Sequence, residues 1–280
     1  MIKIISLLEN VSNFDNLKSE HGLSLYIEKD NLKCLMDTGG SDKFLENAKE
    51  LGIDLTDLSW VIITHNHLDH IGGLESLLEY NKNVNVIIKN DAKGAFHLKK
   101  LFINKYIGID INIFEKYKDR IIFFTKDCKI SDNFYLRSDT IKDPYFVCKD
   151  KSLMERKKGK LVPDEFNHEL FLTIEEGNKV IIISACSHSG IVNIVNTTQL
   201  LYPNKEISHV VGGFHMMGFG IKQLNCDKEY VHEVADILDK SCTEKILTCH
   251  CTGKKAYKIM KEQLGDKISY LSTGESIVIN

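Results

Sequence analysis

Four metal-binding side chains occur within six residues, directly after a short apolar run. Residues 60–64 (WVIIT) are apolar and bounded by polar residues, which is typical of a buried central strand. The side chains that follow are His65, His67, Asp69 and His70. In an extended segment residues i and i+2 point the same way, so the first two histidines can hold one ion, while the following turn carries the other two groups towards a second. The alternative interpretation, a cluster of solvated loop histidines without a metal, is disfavoured, because the closely spaced groups would repel one another on protonation unless a cation held them. The spacing therefore predicts a metal-binding loop at the end of a strand.

Strands and helices alternate in the first and last thirds of the chain. Apolar runs predict strands at 1–9, 23–28, 32–36, 60–64, 84–88, 170–174, 180–183, 207–211, 245–248 and 276–279. Apolar residues at helical spacing predict helices at 44–51, 74–80, 191–201, 229–238 and 254–264. Between the two ends the pattern is looser and rich in lysine. We expect a single domain spanning residues 1–280, with an insertion at about 91–165 over the active-site edge.

Composition excludes several classes of protein. The 280 residues are 43% hydrophobic and 27% charged, which is ordinary for a globular chain and excludes a disordered one. Thirty-six basic residues against 39 acidic ones argue against nucleic-acid binding, which needs a basic excess to neutralise phosphates. No apolar run is long enough to cross a bilayer, and Glu9 interrupts the apolar stretch that a signal peptide would need. The eight cysteines lack the spacing of a disulfide framework. We expect a cytoplasmic protein with no membrane partner.

Several further motifs make the chain resemble the metallo-β-lactamase superfamily. The segment LMDTG at 35–39 is similar to an early signature of that family. The segments ACSHSGIVN at 185–193, GGFH at 212–215 and CHCTG at 249–253 resemble one branch, the metal-dependent hydrolases of β-lactamase superfamily II. Some members of this branch are described as dihydropterin ribofuranosyl-aminobenzene phosphate synthases. The resemblance implies an α/β fold, a four-layer αββα sandwich of two mixed sheets flanked by helices, with the metal site at one edge of the sheets.

The resemblance also implies a pair of divalent transition-metal ions. Zinc is the first expectation, with iron or manganese as alternatives, since all three suit histidine and carboxylate ligands. The ligands it implies are His65 and His67 for the first ion, and Asp69, His70 and His250 for the second.

Two ligand positions stay open. For the third ligand of the first ion we expect His188, with His168 as the rival. Most of the superfamily places a bridging aspartate at the end of the strand before His188, where this chain has Cys186. Either the Cys186 thiolate binds the second ion, or water alone bridges the two ions.

Three residues are expected to act around the ions. Asp69 would hold the attacking hydroxide in position. His215, which follows two glycines at the end of a strand, would be a proton donor to the leaving group or a substrate anchor. Asp37 would orient a ligand histidine through its ring N–H. The remaining histidines have no such context and are expected to be ordinary surface or core residues: His21, His97, His209 and His232.

These expectations together describe a metallo-hydrolase. A bound cation lowers the pKa of water, so a metal-bound hydroxide would attack the substrate near neutral pH. The substrate is expected to be an anionic, phosphoester-like small molecule, because residues 187–190 and 252–255 precede helices, whose N-termini favour anions. The alternatives are a pterin-pathway synthase or transferase on the same scaffold and a non-catalytic metal- or ligand-binding protein. A homodimer is left open.

Overall fold

The computed structural model describes residues 1–218 and 223–280, which fall into two compact units. The first unit consists of Met1–Thr125, Ser152–His168 and Leu271–Asn280. The second consists of Lys126–Lys151 and Glu169–Tyr270.

The strands and helices have the following bounds. The strands are β1 (Ile2–Leu8), β2 (Ser24–Lys29), β3 (Leu32–Met36), β4 (Trp60–Ile63), β5 (Val86–Lys89), β6 (Phe96–Lys100), β7 (Ile103–Tyr106), β8 (Ile121–Phe124), β9 (Cys128–Ser131), β10 (Phe134–Arg137), β11 (Leu153–Lys157), β12 (Lys160–Pro163), β13 (Phe171–Glu176), β14 (Lys179–Ser184), β15 (Glu206–Gly212), β16 (Cys242–Thr248), β17 (Ile268–Tyr270) and β18 (Ser276–Ile279). The α-helices are α1 (Lys43–Glu50), α2 (Leu68–Ile71), α3 (Leu74–Tyr80), α4 (Asn112–Lys116), α5 (Ile191–Leu201), α6 (Lys228–Ser241) and α7 (Gly253–Leu264). Short 3-10 helices occur at Asn90–Lys93, His250–Thr252 and Gly265–Lys267.

The first unit is built on a mixed seven-stranded sheet. Its strand order is β18-β1-β2-β3-β4-β5-β8, antiparallel from β18 to β3 and parallel from β3 to β8. Helices α1 and α3 pack on this sheet through Phe44, Leu74 and Leu78, which share a buried cluster with Val61 and Val86. Strand β4 is a central strand of the sheet and three of its four side chains are buried, which accounts for its apolar sequence. Strands β12, β11, β6 and β7 form a separate antiparallel sheet in the same unit.

The second unit repeats this design with a second mixed sheet. Its order is β17-β16-β15-β14-β13-β10-β9, parallel from β17 to β14 and antiparallel beyond. Helices α5, α6 and α7 pack on it through a cluster in which Val180 and Ile182 of β14 meet Ile194 and Val234. Ile181 points to the opposite face of the strand and is also fully buried. Both faces of this strand are therefore apolar.

The predicted fold class is confirmed, since two large mixed sheets carry helices as expected. Most predicted elements differ from the observed ones only at their ends. The strand predicted at 84–88 begins at Val86, because Val84 N–H donates to the Asn81 side chain, 2.9 Å, in the preceding turn. Residues 68–71, predicted as loop, form the single helical turn α2, in which Ile71 N–H donates to His67 O. A regular hydrogen-bond pattern can thus form over residues whose composition is typical of a loop.

Residues 91–165, predicted as an insertion, contribute strands to all three sheets. They supply β8 to the first sheet, β9 and β10 to the second, and the four strands of the small sheet. The single-domain boundary stays a prediction. Among residues 1–218 and 223–280, none of the helices has both the length and the apolar character required to cross a membrane.

Candidate metal-binding residues

The loop after β4 brings three histidines of the first unit together. The ring centroids of His65 and His67 are 4.7 Å apart, and those of His65 and His70 are 4.2 Å apart. All three side chains are buried. His70 belongs to α2, so the helical turn carries it back towards the two histidines that precede it. The expected proximity of these three residues is therefore observed.

Asp37 and Thr64 orient two of these rings. Asp37 accepts hydrogen bonds from Thr64 N–H, 2.7 Å, from the Thr64 hydroxyl, 2.7 Å, and from His70 Nδ1–H, 2.8 Å. The Thr64 hydroxyl has a single proton, which it donates to Asp37, so at its 2.9 Å contact with His65 Nδ1 it must accept. Both histidines then carry their proton on Nδ1 and present the lone pair of Nε2, which is the atom a metal would bind. Asp37 therefore holds the ring of His70 through its Nδ1–H, as expected, while metal binding by His70 stays a prediction.

His168 lies beside this cluster, with both of its ring nitrogens hydrogen bonded. Asn66 N–H donates to Nδ1, 3.2 Å, and Nε2–H donates to Asp164, 3.1 Å. Its ring stacks on Phe96 at 3.8 Å and lies 5.3 Å from the ring of His67. A metal ligand needs a lone pair, so His168 would have to give up a hydrogen bond to bind an ion. The geometry favours a positioning role for His168.

Asp69, the acidic residue of this loop, is partly accessible to solvent. Its side chain is 24% exposed, and one carboxylate oxygen lies 3.5 Å from His70 Nε2 and 3.3 Å from His21 Nε2. His21, expected to be an ordinary surface or core histidine, is half-exposed and lies at this carboxylate. A carboxylate with a solvent-facing side can bind both an ion and a water molecule.

The protonation of the cluster fits metal binding. Burial, followed by the charges of neighbouring histidines, holds the pKa of His65 well below its ordinary value. Burial and then the charge of His168 lower the pKa of His67 to about 3. Both rings are therefore neutral at physiological pH, which is the form that binds a metal. The donor set of buried, oriented, neutral imidazoles suits a divalent transition metal.

Two further groups of side chains of the kinds that bind metals lie among the described residues of the second unit. In the first group, which we call the 186–250–251 triad, the donor atoms of Cys186, His250 and Cys251 all lie within 4.8 Å of one another. All three residues are buried. Burial acts to raise the pKa of Cys251, but hydrogen bonds with Cys186 and His215 and the charge of His250 hold it well below its ordinary value. A thiolate beside an imidazole is a donor set that zinc prefers.

The second group, the 148–188–215 triad, consists of Cys148, His188 and His215. Their donor atoms also lie within 4.8 Å of one another, and the two imidazole rings are 4.3 Å apart. Burial acts to lower the pKa of His215, but interaction with the Cys148 and Cys251 thiols raises it well above its ordinary value. His215, expected to be a proton donor or anchor, thus lies against the predicted ligand His188.

Glu169 positions the loop that carries His188. Its buried carboxylate accepts hydrogen bonds from the backbone N–H groups of His188, 2.6 Å, and Ser189, 2.8 Å, just before α5 begins. Charge-assisted hydrogen bonds of this kind are about twice as strong as neutral ones. Glu169 was not identified in the sequence, because no spacing rule links it to a loop 19 positions away.

Left-handed backbone conformations occur where several of these residues follow a strand. The φ angle is +63° at Asp37, +55° at Ser187, +46° at His215 and +48° at His250. Such conformations are costly for residues other than glycine and cluster at functional sites. Among the described residues, these four are part of a set of ten non-glycine residues with such conformations, and all four lie shortly after strands, beside or at the predicted functional side chains.

Sequence reasoning identified most of these side chains but missed several. Cys251 follows His250 directly, so its position beside a predicted ligand was a usable signal. Cys148 and Asp164 lie in the segment predicted as an insertion, and no local pattern marks them. The full ligand set, including His188 and His250, stays a prediction.

Comparison with known proteins decides the family. Residues 19–202 match the family model of the metallo-β-lactamase superfamily, a range that includes the loop after β4 and Cys186 to His188. The chain belongs to the metallo-β-lactamase superfamily. Members of this superfamily generally bind divalent metals, in agreement with the groups of His, Cys and Asp side chains described above.

Three similar proteins extend over almost the whole chain. An uncharacterized protein of Methanocaldococcus jannaschii is 33% identical over 261 residues, covering 91% of this chain and 92% of its own. The 7,8-dihydropterin-6-methyl-4-(β-D-ribofuranosyl)-aminobenzene-5′-phosphate synthase of the same organism is 29% identical over 293 residues, covering 99% and 96%. The crystal structure of a metal-dependent hydrolase of the β-lactamase superfamily is 26% identical, with a TM-score of 0.82 over 100% of this chain and 99% of the other.

Proposed function

We propose that this superfamily member is a metal-dependent hydrolase of an anionic, phosphoester-like small molecule. The observation that carries the proposal is the buried histidine cluster of the first unit. Asp37 and Thr64 orient the rings of His65 and His70 so that Nε2 is the available donor. Burying several histidines together is unfavourable, because their polar ring nitrogens leave water. Both the burial and the orientation of the rings are explained if the histidines hold a cation.

Two divalent cations would be held by the ligand set that the sequence implies. The residues are His65, His67 and His188 for the first ion, and Asp69, His70 and His250 for the second. Cys186 and Cys251 add sulfur donors beside His250, which favours zinc over harder metals such as magnesium or manganese. The cations would supply Lewis-acid activation of water and of the bond to be cleaved.

The chain's own residues would orient the reactants. Asp69 would accept a hydrogen bond from the attacking water and direct its lone pair towards the substrate, because its carboxylate is partly exposed. His215 would donate a proton to the leaving group or hold the substrate anion through its ring N–H.

The test combines metal analysis with a hydrolysis assay. Zinc-loaded protein is expected to hydrolyse bis(p-nitrophenyl) phosphate within a panel that also contains p-nitrophenyl phosphate and a simple lactone. His65→Ala should lose both bound metal and activity, whereas His232→Ala, an exposed histidine of α6 bonded to Gln263, should keep both. A metal-loaded wild type that hydrolyses nothing in the panel would contradict the proposal and favour a non-catalytic metal-binding protein.

A pterin-pathway synthase is the second candidate. It is supported by the 29% identity, over 99% of this chain, to a protein named as such a synthase. The product in that name carries a 5′-phosphate, so both candidates call for an anionic ligand. The two candidates are separated by incubation with a ribofuranosyl-aminobenzene 5′-phosphate and a 7,8-dihydropterin that carries a diphosphate leaving group on its 6-methyl carbon, followed by mass spectrometry. The synthase forms the named product and releases diphosphate, and the hydrolase does not form that product.

The small-molecule partner is part of this proposal. A cytoplasmic location, a homodimer and the expectation of no nucleic-acid or membrane partner stay predictions.

A further inference from the structure

The second unit carries a large basic cavity of about 1040 Å³. The charged residues that line it are Lys149, Lys151, Lys228, Lys255, Asp227 and Glu229. Among the lining residues that the structure describes, four ammonium groups against two carboxylates leave an excess of positive charge. Tyr145, Tyr230, Leu224, Asn225 and Cys226 complete the lining. Small-molecule sites commonly have volumes of about 300–1000 Å³, so this cavity can take a ligand much larger than a single phosphate.

Lys149 is held in a defined position within the cavity. Its ammonium group lies 4.7 Å from the ring centroid of Tyr145 and 4.9 Å from that of Tyr230. The Tyr145 hydroxyl donates to Glu233, 2.7 Å, and the Tyr230 hydroxyl donates to the Phe146 carbonyl, 3.2 Å. The two rings are thus anchored by their own hydrogen bonds and hold the cation between them. A charge fixed in this way binds an anion at a smaller cost in side-chain entropy than a mobile lysine does.

Two other lysines of the cavity lie in the first turns of long helices. Lys228 is the first residue of α6, and Lys255 is the third residue of α7. The positive end of a helix dipole adds to the potential of each ammonium group there. Asp227 and Glu229 offset part of the dipole of α6, whereas the first turn of α7 has no acidic residue, so α7 and the segment that carries Lys149 supply most of the positive potential in the cavity.

The cavity wall is connected to the 148–188–215 triad of the same unit. Lys149 directly follows Cys148, whose backbone N–H donates to the His188 carbonyl, 2.9 Å. Asn225, a wall residue, donates its side-chain N–H to the His215 carbonyl, 2.8 Å. A ligand seated in the cavity thus lies near the backbone that carries the predicted ligand His188.

We propose that this cavity binds the polyanionic part of a phosphate-bearing small molecule, with Lys149, Lys228 and Lys255 as the anion-binding groups. This inference rests on the proposed function, since it identifies the cavity as the place where that substrate is held. A continuous nucleic-acid backbone fits less well, because Asp227 and Glu229 in the wall would repel adjacent phosphates.

The experiment measures binding of inorganic pyrophosphate to the metal-free full-length protein by isothermal titration calorimetry. The wild type is expected to bind, with an affinity that falls as salt concentration rises. Lys149→Gln, Lys228→Gln and Lys255→Gln should each raise Kd by about tenfold, the loss expected for one charge-assisted hydrogen bond, and the triple variant should not bind. The matched control is Lys240→Gln, in the last turn of α6, which should bind as the wild type does.

Three outcomes would overturn the proposal. The first is wild-type binding that all three cavity variants retain, and the second is no pyrophosphate binding by metal-free wild type whose folding is verified by circular dichroism. The third is tighter binding of a single-stranded oligonucleotide than of pyrophosphate. Because metal is removed beforehand, a failure of the hydrolase proposal leaves this result unaffected, and the two failures are distinguishable.

Discussion

Asp37→Asn tests whether the orientation of the histidine rings matters for metal binding. Asparagine has the same shape as aspartate and tolerates the left-handed backbone at this position, φ +63°, so the fold should be preserved. Its Oδ1 can still accept from Thr64 N–H, but its Nδ2 donor would face His70 Nδ1–H, where the carboxylate accepts at 2.8 Å. Two donors cannot bond to each other, so His70 must move its proton to Nε2 or turn its ring.

The size of the effect follows from these contacts. The oxygen that the substitution replaces accepts from both His70 Nδ1–H and the Thr64 hydroxyl, and an NH2 group can accept from neither. Loss of these two hydrogen bonds to a buried carboxylate should lower the free energy of unfolding of the metal-free protein by about 3 kcal/mol or more. A proton on Nε2 of His70 blocks the atom that would bind the ion, and loss of an orienting partner of a metal ligand costs about 10- to 100-fold in affinity. Metal binding should therefore weaken within that range.

The assay is competition for zinc against a chromophoric chelator, with urea denaturation of the same preparations. The matched control is Asp127→Asn, a carboxylate of the second unit that accepts from Ser138 N–H, 2.8 Å, and pairs with Arg137, 3.3 Å. This control should lose stability and keep zinc affinity. If Asp37→Asn bound zinc as tightly as the wild type, the argument from hydrogen bonds to ring orientation would be wrong.

Three further predictions follow from other contacts. His65→Ala should abolish bound metal, as measured by elemental analysis. Its thermal unfolding transition should persist, because the sheets do not depend on the ion, and a variant that is unfolded at room temperature would contradict this. Gly212→Ala should lower the free energy of unfolding by more than about 4 kcal/mol in urea, since an added Cβ would lie 1.4 Å from the Ser184 carbonyl oxygen at φ +134°. Gly177→Ala, where no described heavy atom lies within 4 Å of an added Cβ, should cost only about 1–2 kcal/mol of backbone strain. Burial lowers the pKa of His209 below the ordinary histidine value of 6.5, so below pH 6.5 the unfolded chain binds more protons than the folded protein and the free energy of unfolding should fall as pH falls. His209→Gln should reduce this fall between pH 7 and pH 5, and an unchanged pH profile would refute the argument.

The sequence alone predicted ten of the strands of the two large sheets and the loop that carries the first histidines, but it did not predict β8, β9, β10 or β17. Strand and helix periodicities, and the i, i+2 spacing of His65 and His67, are properties of neighbouring residues, so they can be recognised without the fold. Resemblance of short motifs indicated the family, which the match over residues 19–202 confirms.

Only the tertiary structure decided which side chains meet around these motifs. Asn66 and His168 are 102 positions apart, yet their contact uses a ring nitrogen that a metal would need. Cys148 meets His188 and His215 because its own backbone N–H, in the segment predicted as an insertion, donates to the His188 carbonyl. Such contacts depend on the path of the whole chain, which no local spacing encodes. The physical reason is that hydrogen-bond partners and buried charges are set by packing between distant segments, whereas periodicity is set by the backbone geometry of each segment itself.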